Sequence, residues 1–395
     1  MCGKYLCSQE NNIQFIVIKT SNMKVALVGT TAACVLNFRA ELIISLVQEG
    51  HVVYAFAIDY CPVTRSRVGD LGAIPVDYLF SRGGMNPVSD LLNTVRLSGK
   101  IRALAPDMVF SYFPKPVIFG TLAAALAGVK KRMGMLEGLG YAFTRCSNRP
   151  SFKKYVVAYA QVILYRLALP LLDRLIFLNR DDPEDLVQRY RLKVRKVCVL
   201  GGIGLDLQKY VYSTPPSRMV SFIFIGRLLA EKGVREYVAA ARLVKLKYPT
   251  ARFFMLGDLD EANPGALSRE ELGQLVHKGI VIHPGHVEDV RGWLKQSSVF
   301  VLPSYREGVP RSTQEAMAIG RPVITTDVPG CRDTVVDGKN GFIVPPFSVP
   351  DLVDKMVFFI ENPDRIEPMG LESHRMAKAR FDAVKVNAKL VEYFN

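Results

Sequence analysis

The chain has 395 residues, of which 49% are hydrophobic and 22% charged, and its formal net charge is +14. This length can hold two domains that each bury a core, and the composition excludes a disordered or fibrous protein. The seven cysteines are scattered, with no C-x-x-C pair and no His/Cys ligand spacing. That pattern argues against a zinc site and indicates a reducing compartment.

The chain begins with a segment that does not fit the rest. Residues 1–22 lack the charged, apolar and small-residue regions of a signal peptide, whereas Met23 is followed at once by an apolar run. We therefore expect residues 1–22 to be an extension that is either disordered or not part of the native start.

Strands and helices are predicted to alternate through the remaining chain, which is typical of an α/β protein. The strands expected in the first half are Val25–Val28, Val52–Ala57, Val76–Leu79, Met108–Ser111, Arg132–Leu136, Leu175–Leu178 and Lys196–Leu200. Those expected in the second half are Phe222–Ile225, Arg252–Leu256, Val281–His283, Val299–Leu302, Pro322–Thr325 and Phe342–Val344. Helices such as Arg39–Gln48 and Val88–Leu104 fall between the strands.

A Pro-containing segment, residues 213–217, divides the two series and is the best linker candidate. We predict an α/β architecture of two Rossmann-like domains, residues 23–212 and 213–380, with the ligand between them. A C-terminal helix within residues 381–395 is expected to pack back on the first domain. The first strand-to-helix turn carries only Gly29, not G-x-G-x-x-G, which weakens a dehydrogenase interpretation.

Two glutamates mark the most informative part of the second half. The strand Val299–Leu302 runs into a loop that contains Glu307, and a helix predicted from Ser312 to Ile319 carries Glu315. Open α/β sheets bind ligands at such loops, and the helix start favours anionic or polar oxygen atoms. Carboxylates beside a ligand bound at this helix start would accept hydrogen bonds from sugar hydroxyls. The alternative is a capping box formed by Ser312 and Glu315.

A matching pair of cations lies upstream and favours the ligand interpretation. Arg227 and Lys232 share the loop that follows the strand ending at Ile225. An arginine can contact a diphosphate through two nitrogens, and a lysine beside it adds a point charge.

These motifs together resemble glycosyltransferase family 4, retaining enzymes of the GT-B fold, and the resemblance extends over the chain from Met23. The segments that carry it are Gly226-Arg227-Leu228-Leu229-Ala230-Glu231-Lys232-Gly233, Pro303-Ser304-Tyr305-Arg306-Glu307-Gly308, Glu315-Ala316, Gly320-Arg321-Pro322-Val323-Ile324 and Asp337-Gly338-Lys339-Asn340-Gly341-Phe342. The resemblance implies a UDP-sugar donor, catalysis by Arg227, Lys232 and Glu307, and ribose binding by Glu315. The donor site it implies comprises Gly226, Arg227, Lys232, Glu307, Gly308, Val309, Pro310 and Glu315.

The resemblance implies no metal or other cofactor. Asp258-Leu259-Asp260 spells a D-x-D, but it follows a strand end in this domain, and we interpret it as a loop.

The first half resembles a narrower group, through Phe119-Gly120-Thr121-Leu122-Ala123-Ala124 and Glu137-Gly138-Leu139-Gly140. These segments are similar to N-acetylgalactosaminyltransferases that extend polyprenol-diphosphate-linked sugars, and to related O-antigen and capsule enzymes. Such an acceptor is therefore implied, with Glu137 and Lys115 on the acceptor side. Lys115 stands where relatives often carry a histidine, so the sequence departs from the pattern there. Glu137 could equally be a surface residue in a turn. A nucleotide-sugar epimerase or a non-catalytic sugar-nucleotide binding protein are the alternative functions.

Charge is uneven, because residues 1–212 hold 27 Lys and Arg against 15 Asp and Glu, and residues 213–395 hold 24 against 22. The basic residues Lys130, Lys131, Arg132, Arg145, Arg149, Lys153 and Lys154 precede an apolar stretch, residues 155–178. We expect peripheral attachment to an anionic membrane on the cytoplasmic face, since charges interrupt this stretch and make a spanning helix unlikely. The alternative is an interior helix followed by a strand. No nucleic-acid recognition motif supports nucleic acid as the partner.

Overall fold

The computed structural model describes residues 22–81, 87–144, 152–260, 263 and 265–394. The strands of the first sheet are β1 (Lys24–Val28), β2 (Val52–Ala57), β3 (Ile74–Asp77), β4 (Met108–Tyr112), β5 (Lys131–Leu136), β6 (Arg174–Phe177) and β7 (Val197–Val199). Those of the second are β8 (Ser221–Ile225), β9 (Arg252–Leu256), β10 (Val299–Leu302), β11 (Val323–Thr326) and β12 (Gly341–Val344). Residues 1–21, and with them the predicted extension, lie outside the described part of the chain.

Both sheets are parallel, with the orders β3-β2-β1-β4-β5-β6-β7 and β12-β11-β10-β8-β9. In the second sheet β8 lies between β9 and β10, so the strand order reverses between β8 and β10. Such a reversal opens a crevice at the carboxyl ends of the two strands, where ligands bind in open α/β sheets. The prediction of two Rossmann-like units in an α/β fold is confirmed; their division at residue 213 stays a prediction.

Helices cover the sheets. In the first half they are α1 (Ala32–Phe38), α2 (Ala40–Gln48), α3 (Pro62–Asp70), α4 (Pro87–Leu104), α5 (Pro114–Leu126), α6 (Phe152–Ala168) and α7 (Asp181–Pro183). In the second half they are α8 (Val234–Lys247), α9 (Arg269–His277), α10 (Arg291–Lys295), α11 (Arg311–Ile319), α12 (Val349–Glu361), α13 (Ile366–Arg380) and α14 (Ala383–Glu392). The central strands β4 and β10 are buried at every residue, as expected for parallel strands covered on both faces.

The strand expected over Val76–Leu79 is observed two residues earlier, as β3. The helix expected over Arg39–Gln48 is observed as α2, and the φ of −127° at its N-cap Arg39 separates it from α1. The strand expected over Val281–His283 is reduced to one bridge between Ile282 and Phe254. Its flanking residues, Gly279 and Gly285, both have positive φ, and these turns leave too little extended chain for a strand.

The apolar stretch at 155–178 forms most of α6 and then β6, which is the helix and strand of the alternative interpretation. The helix is not interior, however, because Tyr155, Tyr159 and Leu167 are exposed. Among the described residues, no helix is long and apolar enough to cross a membrane.

The basic residues ahead of this stretch do not form one patch. Lys130 and Lys131 lie at the amino end of β5, whereas α6 follows its carboxyl end. The Lys154 ammonium is buried and donates a hydrogen bond to the Thr144 carbonyl. Arg145, Arg149 and the Lys153 side chain lie outside what the structure describes.

The last helix joins the two halves of the chain. Helix α14 packs against α2, and the Phe394 ring lies 5.5 Å from that of Phe110 in β4. The Leu205 amide donates to the Phe381 carbonyl at 2.9 Å, which extends this contact to the segment after β7.

Candidate active site

The loops after β8 and β10 meet at the reversal of strand order in the second sheet. Gly233 ends the first loop with φ +74°, and a Cβ at this position would lie 2.0 Å from the Pro303 carbonyl oxygen. Only glycine permits this approach, which brings the residue before it, Lys232, beside the second loop. The Lys232 Nζ lies 2.6 Å from Glu307 Oε1, and the Ser304 hydroxyl donates to the same oxygen at 2.7 Å. The structure therefore joins two residues that the sequence assigned to separate half-sites.

Arg227 remains more accessible than Lys232. It follows Gly226 at the end of β8, its side chain is half exposed, and its ion pair with Asp260 is loose at 3.8 Å. Asp258, in the same loop as Asp260, pairs instead with His286 at 3.1 Å. The two aspartates thus have separate partners, and no group of metal-ligating side chains is found within the described ranges.

Helix α11 begins at Arg311, one residue earlier than expected, and Pro310 is its N-cap without a side-chain hydrogen bond. The alternative of a capping box formed by Ser312 and Glu315 is therefore wrong, because Ser312 lies inside the helix. Glu315 accepts hydrogen bonds from the Tyr210 hydroxyl at 2.9 Å and from Arg311 Nε at 3.0 Å. Burial by itself would lower the pKa of Arg311, but the charge and hydrogen bond of Glu315 outweigh burial and raise it.

The Glu315 carboxylate also affects the pKa of its second partner, Tyr210. Burial, reinforced by the Glu315 carboxylate, raises the pKa of the Tyr210 hydroxyl above its usual range. Tyr210 therefore stays protonated at neutral pH and can donate its hydrogen bond. The arrangement holds the carboxylate beside the first turn of α11, whose first N–H groups lack intrahelical partners.

The two halves touch directly next to Glu307. A Cβ on Gly308 would lie 2.2 Å from the Glu137 carbonyl oxygen, so this position requires glycine. Asn179 Nδ2, from the loop after β6, donates to the Gly308 carbonyl at 2.7 Å. Arg306 pairs with Asp182 and, at 2.7 Å, with Asp185. Asn179 and Asp182 follow a strand of the first sheet, so they hold the glutamate loop from across the cleft.

Glu137 is not an unpartnered surface residue. Its carboxylate forms a buried ion pair with Arg39, whose guanidinium lies 4.2 Å from the centre of the Tyr112 ring. Burial lowers the pKa of Arg39 from 12.5 to about 10. Nothing in the local sequence distinguishes Arg39 from a surface arginine, so sequence reasoning missed this partner. With its carboxylate paired in this way, Glu137 holds the loop that touches Gly308.

Lys115 lies in the first turn of α5, on the acceptor side of the cleft. Its ammonium donates to the Ser81 carbonyl at 3.1 Å and to the Ser81 hydroxyl at 3.0 Å, and it lies 3.5 Å from Asp90 Oδ1. These contacts connect α5 to the segment after β3. In this arrangement Lys115 connects α5 to its neighbouring elements, and its acceptor role stays a prediction.

A cavity of about 630 Å³ lies between the two halves of the chain. Aromatic side chains line it from both sides, among them Tyr155 and Tyr190 from the first half and Tyr305 and Phe347 from the second. Its lining does not include the Arg227, Lys232, Glu307 and Glu315 side chains. The cavity is therefore separate from these four predicted donor-site residues.

A basic loop, a carboxylate loop and a helix start around the crevice of a two-sheet α/β protein define a GT-B glycosyltransferase. Residues 220–362 match the family described as "Glycosyl transferases group 1". The prediction from sequence is thereby confirmed for the family, the fold and the enzyme class.

Named relatives extend over most of the chain. It is 29% identical over 353 residues to a Campylobacter jejuni N,N'-diacetylbacillosaminyl-diphospho-undecaprenol alpha-1,3-N-acetylgalactosaminyltransferase, covering 86% of this chain and 90% of the relative. It is 25% identical over 283 residues to an Escherichia coli UDP-Gal:alpha-D-GlcNAc-diphosphoundecaprenol alpha-1,3-galactosyltransferase, covering 68% and 70%. Anabaena HepE, solved in complex with UDP and glucose, matches with a TM-score of 0.73 at 17% identity, covering 94% of this chain and 99% of that one.

Proposed function

We propose that the protein transfers a hexose or N-acetylhexosamine from a UDP-sugar to a polyprenol-diphosphate-linked sugar, with retention at the anomeric carbon, in surface polysaccharide or glycan assembly. The names of the two relatives support this acceptor class, and the UDP bound by HepE supports the donor class. The observation that carries the proposal is the 2.6 Å contact between Lys232 and Glu307, which joins a phosphate-binding charge to a hydroxyl-binding carboxylate.

The donor half of the reaction follows from these charges. The bond between the sugar C1 and the diphosphate oxygen breaks, a bond from C1 to the acceptor oxygen forms, and the acceptor proton leaves with the nucleoside diphosphate. Arg227 and Lys232 stabilise the negative charge that develops on the leaving group, together with N–H groups at the start of α11. Glu315 binds the ribose hydroxyls and Glu307 the donor hexose. This assignment uses no metal ion.

On the acceptor side we propose roles for the loops after β4 and β5. The Lys115 ammonium lies at the start of α5 and is suited to an acceptor diphosphate oxygen. Glu137, fixed by Arg39, positions the Gly138–Gly140 turn against Gly308 and so shapes the space beside the donor hexose. Because the acceptor is a lipid, we propose that the protein works peripherally on the cytoplasmic face of the cell membrane.

The test is UDP release from a panel of UDP-sugars, measured with and without a synthetic polyprenol-diphosphate sugar. Release that depends on the acceptor, with the anomeric configuration of the product read by NMR, supports the proposal. Conversion of the donor sugar without acceptor would instead identify an epimerase. Binding of UDP-sugars without any turnover would identify a non-catalytic binding protein, and either result would refute the transferase.

A further inference from the structure

Helix α6 exposes large apolar side chains along its whole length. Those on its outer face are Phe152, Val156, Tyr159, Ile163 and Leu167, and Tyr155 lies where this face meets the cavity between the two halves. They recur at intervals of three and four residues and therefore form one continuous stripe, roughly 25 Å long for a helix of this size. Phe152 is 80% exposed and Tyr159 is 66% exposed, whereas Val162 and Tyr165, on the inner face, are buried. The helix is thus apolar on both faces, although one of them is open to solvent.

Helix α4 shows the same feature in its first turns, where Val88, Leu91, Leu92 and Val95 are exposed. Helix α5 contacts both α4 and α6, so the three helices form one layer. Helix α4 follows β3 and α6 follows β5, which places their first turns at the carboxyl edge of the sheet. That edge faces the cleft. The apolar surface, which we call the α4–α6 face, therefore reaches the mouth of the proposed active site.

The helices that form the α4–α6 face carry few acidic residues, although Asp181 and Asp185 line the neighbouring cavity with Tyr155. Helices α5 and α6 contain no acidic residue, and α4 contains only Asp90, which is buried. Exposed basic residues border the face, namely Arg96, Lys100 and Arg102 on α4, Arg166 on α6, and Arg189, Arg191 and Lys193 beside α6. Apolar and aromatic side chains with a basic border are the composition of a segment that lies in the interface of an anionic bilayer.

We propose that the α4–α6 face is a membrane-insertion surface, in which the stripe of α6 and the first turns of α4 enter the boundary between headgroups and acyl chains. The inference rests on the proposed lipid-linked acceptor for its role in catalysis. The sequence predicted that a basic patch attaches the protein to the membrane. In the present proposal the apolar side chains buried in the bilayer provide most of the attachment, and the basic border adds attraction to anionic headgroups. The cleft mouth then lies at the level of the headgroups, where the acceptor diphosphate and its sugar are located.

The basic residues that border the α4–α6 face also argue against a second copy of the chain as the partner that covers this face. A two-fold dimer would place this face against itself. The basic border of one copy would then meet the basic border of the other, at a cost that an anionic bilayer does not impose.

The experiment compares the full chain with two variants in sedimentation with vesicles of phosphatidylglycerol and phosphatidylcholine. The stripe variant carries Phe152→Ser, Val156→Ser, Tyr159→Ser and Ile163→Ser. The control variant carries Leu243→Ser and Leu246→Ser, which remove exposed apolar side chains from α8 in the other half; Leu246 is 83% exposed. Binding is measured at low salt and at about 1 M NaCl, where the Debye length falls to about 3 Å.

We expect the wild type and the control to remain bound at high salt, and the stripe variant to lose at least about 10-fold in vesicle affinity. A Tyr159→Trp variant gives a second measurement, because the native chain has a single tryptophan, Trp293, which packs on Phe254 in the second half. The fluorescence that this substitution adds should shift to the blue on vesicles and be quenched by lipids brominated on their acyl chains.

High-salt binding of the stripe variant equal to the wild type would overturn the inference, as would added fluorescence in the Tyr159→Trp variant that vesicles leave unchanged. The inference would also be overturned if the wild type were a dimer, and if the stripe variant were monomeric but still bound vesicles. Turnover with a water-soluble acceptor analogue should be equal in all variants. If no protein, the wild type included, releases UDP with any acceptor, the proposed function fails, but the vesicle measurements still decide the insertion surface.

Discussion

Replacing Lys232 by alanine tests both the proposed chemistry and the contact that assembles the site. The Lys232 side chain is 23% exposed and its partner Glu307 is 11% exposed. Removing the ammonium therefore leaves a largely buried carboxylate with the Ser304 hydroxyl as its remaining side-chain donor. Arg227→Ala is the natural comparison, because the Arg227 side chain is 50% exposed and lies 3.8 Å from Asp260.

The two substitutions should have different effects on stability and similar effects on catalysis. A hydrogen bond to a charged group contributes about 1.5–3 kcal/mol, and partial exposure places Lys232 near or below the lower value, at about 1–2 kcal/mol. For a domain of this size that corresponds to a fall of roughly 2–8 °C in Tm. Arg227→Ala should leave Tm almost unchanged. Both should lower kcat by on the order of 100-fold, because each removes charge that stabilises the leaving group.

Differential scanning calorimetry and the UDP-release assay measure the two effects. Lys232→Ala combined with Glu307→Gln should recover much of the lost Tm, since the amide carries no unpaired charge, but should not recover kcat. Lys247→Ala is the matched control, because Lys247 and Glu361 form an exposed pair at 3.2 Å and its loss should change neither Tm nor turnover. A Tm for Lys232→Ala equal to that of the wild type would refute the structural argument, and near-normal turnover in either single variant would refute the assignment of the leaving-group charges.

Three further predictions concern the donor site and the cysteines. Glu315→Gln keeps an acceptor for the Tyr210 hydroxyl but leaves the largely buried Arg311 without its ion pair, so Tm should fall as it does for Lys232→Ala. UDP affinity by calorimetric titration should fall by about 10-fold, and unchanged affinity would exclude ribose binding. Turnover should persist after extensive dialysis against EDTA, since Arg227 and Lys232 carry the stabilising charge; loss of activity that Mg²⁺ restores would contradict this. The Thr64 hydroxyl lowers the pKa of the exposed Cys61 thiol, whereas burial raises that of Cys331 to about 12. Because the thiolate is the reacting form, iodoacetamide should label Cys61 and spare Cys331 until the protein unfolds, and peptide mass spectrometry would reveal the opposite order if it occurred.

The sequence was sufficient for the fold because its signals are local. The fully buried strand Val299–Leu302 has the predicted bounds, as do β2 and β9, since each is a short apolar run bounded by turn residues. The ion pair between Arg39 and Glu137 was not predictable, because the two residues lie 98 positions apart. The exposure of one face of α6 could not be read from its sequence either, because the same apolar residues were compatible with an interior helix.

The candidate site was predictable only in part, for the same physical reason. Family-like motifs located Arg227, Lys232, Glu307 and Glu315, but not the residues that hold them. Asn179 contacts Gly308 over 129 positions of sequence, and Tyr210 contacts Glu315 over 105. Such contacts arise from the packing of two separately wound sheets, and no local spacing encodes them.

In the loop that contains Glu307, the side chain and the backbone have different partners. The Glu307 carboxylate faces Lys232 and Ser304 within the second sheet, while the backbone of Glu307 and Gly308 is held by Asn179 from the first. Neighbouring Arg306 adds a buried ion pair to Asp182, whose own pKa is raised because burial outweighs the attraction of Arg306. Because breaking a buried pair is costly, the first domain fixes the position of the loop. A movement of the first domain on binding an acceptor would therefore be transmitted to the residue proposed to bind the donor hexose, and this couples the acceptor half of the cleft to the chemistry in the donor half.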